Sequence, residues 1–214
     1  AAPVQNVGAY GQEIVQVLDS VLAYDLKEEK YVTIKKEDMK LGYRSSIFNH
    51  GEDAGRYLII SMTIHLSHDT LTPPFYTSLQ NYVEEHQITD FSPKSIREMV
   101  TEIRWSKLPK PEEMASSGSF FKNVYLDDAE ADRLRGMNVP VWEGNKVPSG
   151  WLIDHAGLKG MVFHGMRVSE KAALILINES AQSYAHLKQA REEIVSIIEK
   201  KYGLTLQQEP VELE

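Results

Sequence analysis

The sequence predicts a mixed α+β chain made of two successive parts. Apolar and polar residues alternate over residues 57–66, the period of a strand whose side chains point in turn to opposite faces. Apolar residues at helical spacing follow Ser92 and Pro93, a typical helix start. After Ser119, short strand and helix patterns alternate. We therefore expect one domain over residues 1–110 and an α/β domain over residues 111–214, with the boundary near residues 108–115.

The composition restricts the classes of function. With 42% hydrophobic and 25% charged residues, the chain is typical of a soluble globular protein. Its formal charge of −8 argues against a nucleic-acid surface, although a local basic cluster can still hold a small anionic substrate. The absence of cysteine excludes disulfides and thiolate chemistry. No segment has the length and apolarity of a membrane span, so we expect a small-molecule partner rather than nucleic acid or membrane.

The first hundred residues contain strand signals and then helix signals. A turn at residues 8–11 precedes a short helical turn, and the expected strands cover residues 21–24, 31–34 and 57–66, with a hairpin turn at residues 27–30. Leu79, Tyr82 and Val83 have helical spacing after Pro73 and Pro74. A second helix starts at Ser92, and prolines 109 and 111 end it. Its buried stripe is Ile96, Met99, Val100 and Ile103.

The remaining residues predict smaller elements. We expect a short helix over residues 127–135 closed by Gly136, a helix or turn over residues 150–156, and a buried strand over residues 172–177. Ser180 is the expected N-cap of the last helix, and Gly203 is its left-handed stop. The expected buried stripe of this helix is Tyr184, Leu187, Ile194, Ile198 and Tyr202.

Residues 118–123, GSFFKN, contain the side chains best suited to proton transfer and anion binding. Gly118 permits a sharp turn, and Ser119 then offers a hydroxyl that can give or take a proton. Two phenylalanines can anchor the segment in a core, while Lys122 and Asn123 suit a phosphate or carboxylate. The alternative is a strand that merely enters a core after a glycine turn.

Basic residues and histidines allow plainer interpretations. Arg104 and Lys107 lie three apart on a predicted helix and therefore share a face, which by itself indicates a solvated basic surface. Lys122 and Lys146 can join them only through folding. His65 and His68 have no carboxylate or cysteine in register, so we expect no metal site.

Five motifs occur in one order along the chain: residues 4–11, VQNVGAYG; residues 42–48, GYRSSIF; residues 118–123, GSFFKN; residues 149–154, SGWLID; and residues 174–178, LILIN. In order and spacing they resemble the UDP-N-acetylenolpyruvoylglucosamine reductase family, MurB, in the version with a YRxSIF motif and a tyrosine-bearing insertion. The resemblance covers nearly the whole chain. Several motifs in one order are far more specific than any one of them.

The resemblance implies a fold and a reaction. The fold is part of a MurB or vanillyl-alcohol-oxidase type FAD-binding domain, followed by a MurB C-terminal substrate-binding domain. The reaction is the reduction of UDP-N-acetylglucosamine enolpyruvate to UDP-N-acetylmuramate for peptidoglycan synthesis, in which NADPH reduces FAD and the flavin then reduces the substrate. Ser119, Arg44 and Glu209 match the catalytic set: Ser119 donates the proton, while Arg44 and Glu209 orient or polarise the substrate carboxylate.

The resemblance also implies binding residues. Those that match substrate contacts are Tyr76, Arg104, Lys107, Asn123, Trp142 and Lys146. Val4, Gly8 and Ile59 match positions that contact FAD through the backbone. A cytoplasmic, monomeric protein is expected.

Several departures from the family pattern keep alternatives open. The family's first part of the flavin domain, with its glycine-rich pyrophosphate loop, has no counterpart here. The chain could therefore be a reductase portion, a UDP-sugar-binding module without catalysis, or a remnant with neither function. Pro210 follows Glu209 where the family usually has valine, so the register of Glu209 is open by one or two residues. Val124 and Ala172 also replace the usual proline and a polar residue.

Overall fold

The computed structural model describes residues 2–110 and 112–212, which form two compact units that divide between Ile103 and Arg104. The sequence places its domain boundary a few residues later, near residues 108–115. Pro111, which was expected to help end the second helix, lies outside the described residues, as do Ala1, Leu213 and Glu214. Helices and antiparallel strands occur in both units, so the predicted α+β class is confirmed.

A three-stranded antiparallel sheet forms the centre of the first unit. Its strands are β3 (Leu18–Asp25), β4 (Lys30–Lys35) and β5 (Tyr57–Ile64), in the order β4-β3-β5. Each predicted strand is present, and β5 ends two residues earlier than its alternating pattern. A small ribbon precedes the sheet, formed by β1 (Gly8–Ala9) and β2 (Gln12–Glu13). The expected helical turn is a single 3-10 turn that starts only at Ile14.

A buried ion pair holds the turn between β3 and β4. The Asp25 side chain is only 3% exposed, and its Oδ1 accepts hydrogen bonds from the backbone N–H groups of Lys27 and Glu28 at 2.9 and 3.2 Å. Arg56 donates from Nε to Oδ1 at 2.9 Å and from Nη2 to Oδ2 at 2.6 Å. The Arg56 hydrogen bonds, followed by those from the turn backbone, lower the pKa of Asp25 to about 2.

The two faces of this sheet have different environments. One face packs on a core of Leu18, Val21, Ala23, Ile34, Met39 and Phe48. On the other face, Leu58, Ile60, Met62 and Ile64 of β5 are exposed, with Leu58 at 58%. Within the described residues, β5 pairs only with β3, so one edge of the strand has no neighbouring strand. An apolar face therefore lies beside an unpaired sheet edge.

Two helices complete the first unit: α1 (Thr77–Glu85) and α2 (Pro93–Lys107), whose last turn extends past Ile103. Ser92 is the N-cap of α2 as predicted, because its Oγ accepts a hydrogen bond from the Ser95 N–H at 3.3 Å. Their shared core consists of Leu79, Val83, Met99 and Ile103, while Ile96 and Val100 are partly buried.

The second unit contains a four-stranded antiparallel sheet in the order β6-β11-β10-β9. Its strands are β6 (Ala115–Ser119), β9 (Val162–Phe163), β10 (Met166–Val168) and β11 (Ile175–Asn178). The strand predicted over residues 172–177 starts later, because the Ile175 N–H closes a turn onto the Ala172 carbonyl at 3.0 Å. Between β6 and β9 in the sequence, β7 (Val124–Tyr125) and β8 (Lys146–Val147) form a two-stranded ribbon.

Helices α3 (Asp128–Gly136), α4 (Ser149–His155) and α5 (Tyr184–Tyr202) enclose the core of this unit. Its fully buried residues include Phe121, Leu152, Ile153, Ile194 and Ile198. Gly203 ends α5 with a left-handed φ of 69°, as predicted.

Three predictions about helix ends and faces are wrong. Ser183, not Ser180, caps α5, because the Ser180 N–H is bonded to the Gly165 carbonyl and the chain turns once more before the helix. Tyr184 is 53% exposed, since the first residue of α5 lies beyond its buried stripe. Gly136 is the last helical residue of α3, and Asn138 takes the left-handed conformation instead.

Candidate functional site

Residues 118–122 place a serine hydroxyl at the edge of a rigid core. Ser119 is the last residue of β6 and is exposed, after Gly118 with its left-handed φ of 76°. Phe120 and Phe121 are both buried, as the sequence predicted. The Phe120 N–H donates to the Leu174 carbonyl at 2.7 Å. The side chain of Ser119 is thus presented at the surface by a backbone that is fixed on both sides.

The C-terminal segment, residues 207–212, pairs with this stretch. Phe121 and Gln208 form an antiparallel bridge. The Glu209 N–H donates to the Phe120 carbonyl at 2.7 Å, and the Lys122 N–H donates to the Gln207 carbonyl at 2.8 Å. Glu209 therefore lies across from Phe120, the residue that follows Ser119. Pro210 comes after the last of these hydrogen bonds, so its missing N–H interrupts neither of them.

Asn123 is held by a buried serine that the sequence analysis did not single out. The Ser149 N–H donates to Asn123 Oδ1 at 3.1 Å, and Ser149 Oγ donates to the Lys122 carbonyl at 2.6 Å. Ser149 is fully buried at the start of α4. Its position in the SGWLID motif is the signal that could have identified it.

The ribbon of β7 and β8 brings two predicted substrate contacts together and adds a third residue. Lys146 lies directly opposite Tyr125, with Nζ 5.9 Å from the Tyr125 ring centroid and 5.7 Å from that of Trp142. Both rings are about half exposed. Period-two alternation could have predicted Tyr125, because Val124 packs against the core and the next side chain points away from it.

Arg104 and Lys107 lie in the last turn of α2, and both are exposed. Lys107 lines a cavity of about 720 Å³ together with Arg167 and Lys171. Arg167 Nη2 contacts Glu179 Oε1 at 2.5 Å, which raises the pKa of the guanidinium. The described residues that line this cavity do not include Asn123, Trp142 or Lys146, so the predicted substrate contacts do not converge on it.

The first unit brings Arg44 close to two of the predicted flavin contacts. Arg44 has a left-handed φ of 53°, and its Nη2 donates to the Gly8 carbonyl at 3.5 Å. Ser46 Oγ donates to the Val4 carbonyl at 2.6 Å. Val4 and Ile59 pack against the same core. A Cβ at Gly8 would lie 2.8 Å from Glu13 Cγ, so the close approach of the chain requires glycine.

Tyr76 immediately precedes α1 and is about half exposed. Its ring packs edge-on against Tyr10, with the ring centroids 6.2 Å apart. Tyr76 and Arg44 belong to the first unit, whereas Ser119 and Glu209 belong to the second.

Residues 2–110 and 112–212 contain neither a cluster of metal ligands nor a membrane-spanning helix. No group of three or more histidine, aspartate or glutamate side chains is arranged there to hold a metal ion. None of the helices described there has the length and apolar character needed to cross a membrane.

Comparison with known proteins gives consistent matches. Residues 110–213 match the family model of the UDP-N-acetylenolpyruvoylglucosamine reductase C-terminal domain. The chain is 35% identical to the UDP-N-acetylenolpyruvoylglucosamine reductase of Ralstonia nicotianae over 99% of this chain and 63% of that protein. The protein of the same name from Idiomarina loihiensis is also 35% identical, over 98% of this chain and 62% of its own length.

A solved structure agrees at the level of fold. The crystal structure of UDP-N-acetylenolpyruvylglucosamine reductase (MurB) from Thermus caldophilus matches with a TM-score of 0.58 at 18% identity, over 97% of this chain and 57% of that one. The chain thus spans about three fifths of the length of the curated relatives it matches. Residues 110–213 thus match the model of the UDP-N-acetylenolpyruvoylglucosamine reductase C-terminal domain, and nearly the whole chain is similar to reductases of that name.

Proposed function

We propose that this chain carries the substrate-binding and proton-donating part of a reductase that converts UDP-N-acetylglucosamine enolpyruvate to UDP-N-acetylmuramate in peptidoglycan precursor synthesis. The observation that carries the proposal is the pairing of residues 207–209 with residues 120–122. It brings a carboxylate residue, Glu209, opposite Phe120, one residue from Ser119. Both belong to the set that the family resemblance assigns to catalysis.

The chemistry requires a proton donor and a group that stabilises negative charge. Hydride addition to the outer vinyl carbon leaves negative charge on the neighbouring carbon and its carboxylate. Ser119 donates the proton to that carbon, and Arg44 stabilises the developing charge most effectively where water is excluded. Glu209 orients the substrate carboxylate from the paired segment. A serine hydroxyl is a weak acid, so this step requires a cation or a proton relay beside Ser119.

Binding of the nucleotide sugar is assigned to both units. Asn123, Trp142 and Lys146 offer an amide, an aromatic face and a cation on one local scaffold, which suits a diphosphate and a pyrimidine ring. Arg104 and Lys107 add cations from the end of α2. Tyr76 is the proposed contact from the inserted loop.

FAD and NADPH are the cofactors that we propose, and the first unit offers features that fit a flavin. Val4 and Ile59 pack against one core, and the Gly8 carbonyl is bonded to Arg44. When bound, the flavin would supply the hydride that NADPH renews. We also propose that the complete reductase is cytoplasmic and monomeric, as the resemblance implies, whereas residues 1–214 alone expose an apolar strand face.

A second candidate is a UDP-sugar-binding module that does not catalyse. The exposed face and unpaired edge of β5 favour it, because they indicate that the sheet of the first unit is not closed by the described residues. In this candidate the second unit binds the nucleotide sugar while the flavin site is incomplete.

Purified residues 1–214 provide the test. The chain is incubated with FAD and passed through gel filtration, and UDP-N-acetylglucosamine is titrated in a calorimeter. We expect weak flavin retention, because residues 1–214 contain no counterpart of the family's glycine-rich loop for the FAD pyrophosphate. The loss of two charge-assisted hydrogen bonds to the pyrophosphate weakens binding by about 10²–10⁴.

Retention of one FAD per chain, together with NADPH-dependent reduction of the enolpyruvyl substrate, would show that residues 1–214 suffice for the reductase reaction. Binding of the UDP-sugar without flavin would support the module. Binding of neither ligand would contradict both candidates.

A further inference from the structure

The segment that carries Glu209 has little apolar anchorage. Leu206 is the last buried residue before it, whereas Val211 is 68% exposed. Two backbone hydrogen bonds connect residues 207–209 to residues 120–122. A segment held by so few contacts needs further restraint if a side chain on it is to keep one position, because ordering a chain costs conformational entropy.

An arginine on α5 supplies contacts on both sides of Glu209. Arg191 Nη1 donates to the Gln208 side-chain carbonyl and also to a carboxylate oxygen of Glu212. The Arg191 side chain is 18% exposed, so water screens these contacts less than it would on an open surface. Gln208 Nε2 in turn donates to the Pro210 carbonyl at 3.0 Å.

Tyr184 connects the same segment to the start of α5. Hydrogen bonding to the Tyr184 hydroxyl, then to Gln208 and Arg191, lowers the pKa of Glu212. The Glu212 carboxylate is therefore ionised at neutral pH and can pair with the guanidinium. Tyr184 and Arg191, about two turns apart on α5, thus fix the far end of the segment.

We propose that Arg191 is a positioning residue for Glu209: by binding Gln208 and Glu212 on either side, it holds the segment on residues 120–122. The role of Glu209 rests on the proposed function. The clamp, by which we mean the contacts of Arg191 with Gln208 and Glu212, is a property of the fold. Arginine suits this task because the two N–H groups of Nη1 are held in the guanidinium plane, whereas the N–H groups of a lysine ammonium rotate freely.

The test uses Arg191→Met, which keeps the apolar stem, and Arg191→Lys, which keeps the charge. Lys188→Met is the matched control, since Lys188 is one turn away on α5 and pairs with Glu192 on the exposed surface. Hydrogen exchange of the Glu209 amide in residues 1–214 reports the order of the segment. We expect a tenfold or larger loss of protection in Arg191→Met, partial recovery in Arg191→Lys and no change in the control.

Kinetics add a readout that a general loss of stability would not produce. In a form of the protein that binds FAD, we expect Arg191→Met to slow substrate reduction about 10–100-fold, as for other groups that orient a reacting residue. Flavin reduction by NADPH should be unchanged.

The outcomes separate the two proposals. Unchanged protection of the Glu209 amide, or equal slowing of both half-reactions, would overturn the role of Arg191. If wild-type protein reduces no enolpyruvyl substrate, the proposed function fails, and hydrogen exchange alone decides whether the clamp exists.

Discussion

At the scale of single residues, substitution of Ser119 tests the proposed chemistry most directly. Its neighbours Phe120 and Phe121 are buried, and its backbone continues a strand, so a change at its side chain should leave the fold intact. Removal of the Ser119 hydroxyl therefore tests its chemical role without changing the fold.

We expect Ser119→Ala to slow substrate reduction by about 10²–10⁴ while flavin reduction by NADPH continues, because a general acid acts only on the substrate half-reaction. Stopped-flow absorbance in a flavin-containing form of the protein measures both steps. Ser117→Ala, an exposed serine on the same strand, is the control. A similar decrease in both half-reactions would remove Ser119 from the role of proton donor.

Individual residues also show what the sequence could and could not predict. The GSFFKN motif predicted that its two phenylalanines anchor the segment in a core, because apolar rings favour burial, and both are buried. Arg191 and Gln208 could not be predicted, since their contact joins residues 17 apart on different elements. Ser149 was within a quoted motif, but only the folded chain shows which carbonyl its hydroxyl reaches.

At the scale of elements, the β3–β4 turn depends on the Asp25–Arg56 pair. The pKa of Asp25 is about 2 in the folded state and about 3.9 in an unfolded chain. The folded pKa is the lower one, so the pair stabilises the fold fully above about pH 4, and this contribution is lost as the pH falls towards 2.

We expect the denaturation midpoint of the first unit to fall over that pH range, and Asp25→Asn to flatten the dependence. Denaturant titrations between pH 2 and pH 5, followed by tyrosine fluorescence, measure the effect. Asp132→Asn, which removes an exposed ion pair with Arg135, should leave the profile unchanged. An unaltered profile in Asp25→Asn would show that other carboxylates dominate the acid response.

Periodicity predicted the existence of the main elements better than their ends. The strands and helices of the first unit were expected because their apolar spacing matches periods of two and 3.6 residues. The start of α5 was misplaced since Ser180 and Ser183 are both good N-caps, and the choice between them is made by distant contacts. Asn178 closes a turn onto Ala181, and Gly165 binds the Ser180 N–H, which delays the helix by three residues.

At the scale of the whole molecule, the exposed face of β5 governs how the chain behaves in solution. Four apolar side chains lie on one strand beside an unpaired edge, an arrangement that favours edge-to-edge association.

We expect residues 1–214 to self-associate as the concentration rises, and the double substitution Ile60→Lys with Met62→Glu to reduce association without loss of folding. Sedimentation velocity measures the association, and circular dichroism checks the fold. Leu26→Lys is the control, because Leu26 is equally exposed but lies in the turn between strands. If the double variant associates as strongly as the wild type, another surface is responsible.

The pairing of residues 207–209 with residues 120–122 has a consequence for sequence divergence. Its hydrogen bonds are made by backbone groups, which every residue except proline can supply on both sides. The exposed residue Gln207 can therefore be replaced during evolution without loss of the backbone pairing. Selection on residues 207–209 should act on their spacing, on Gln208, which Arg191 binds, and on the Glu209 carboxylate, whereas residue 207 can differ between homologues that bring the same carboxylate to the same backbone position.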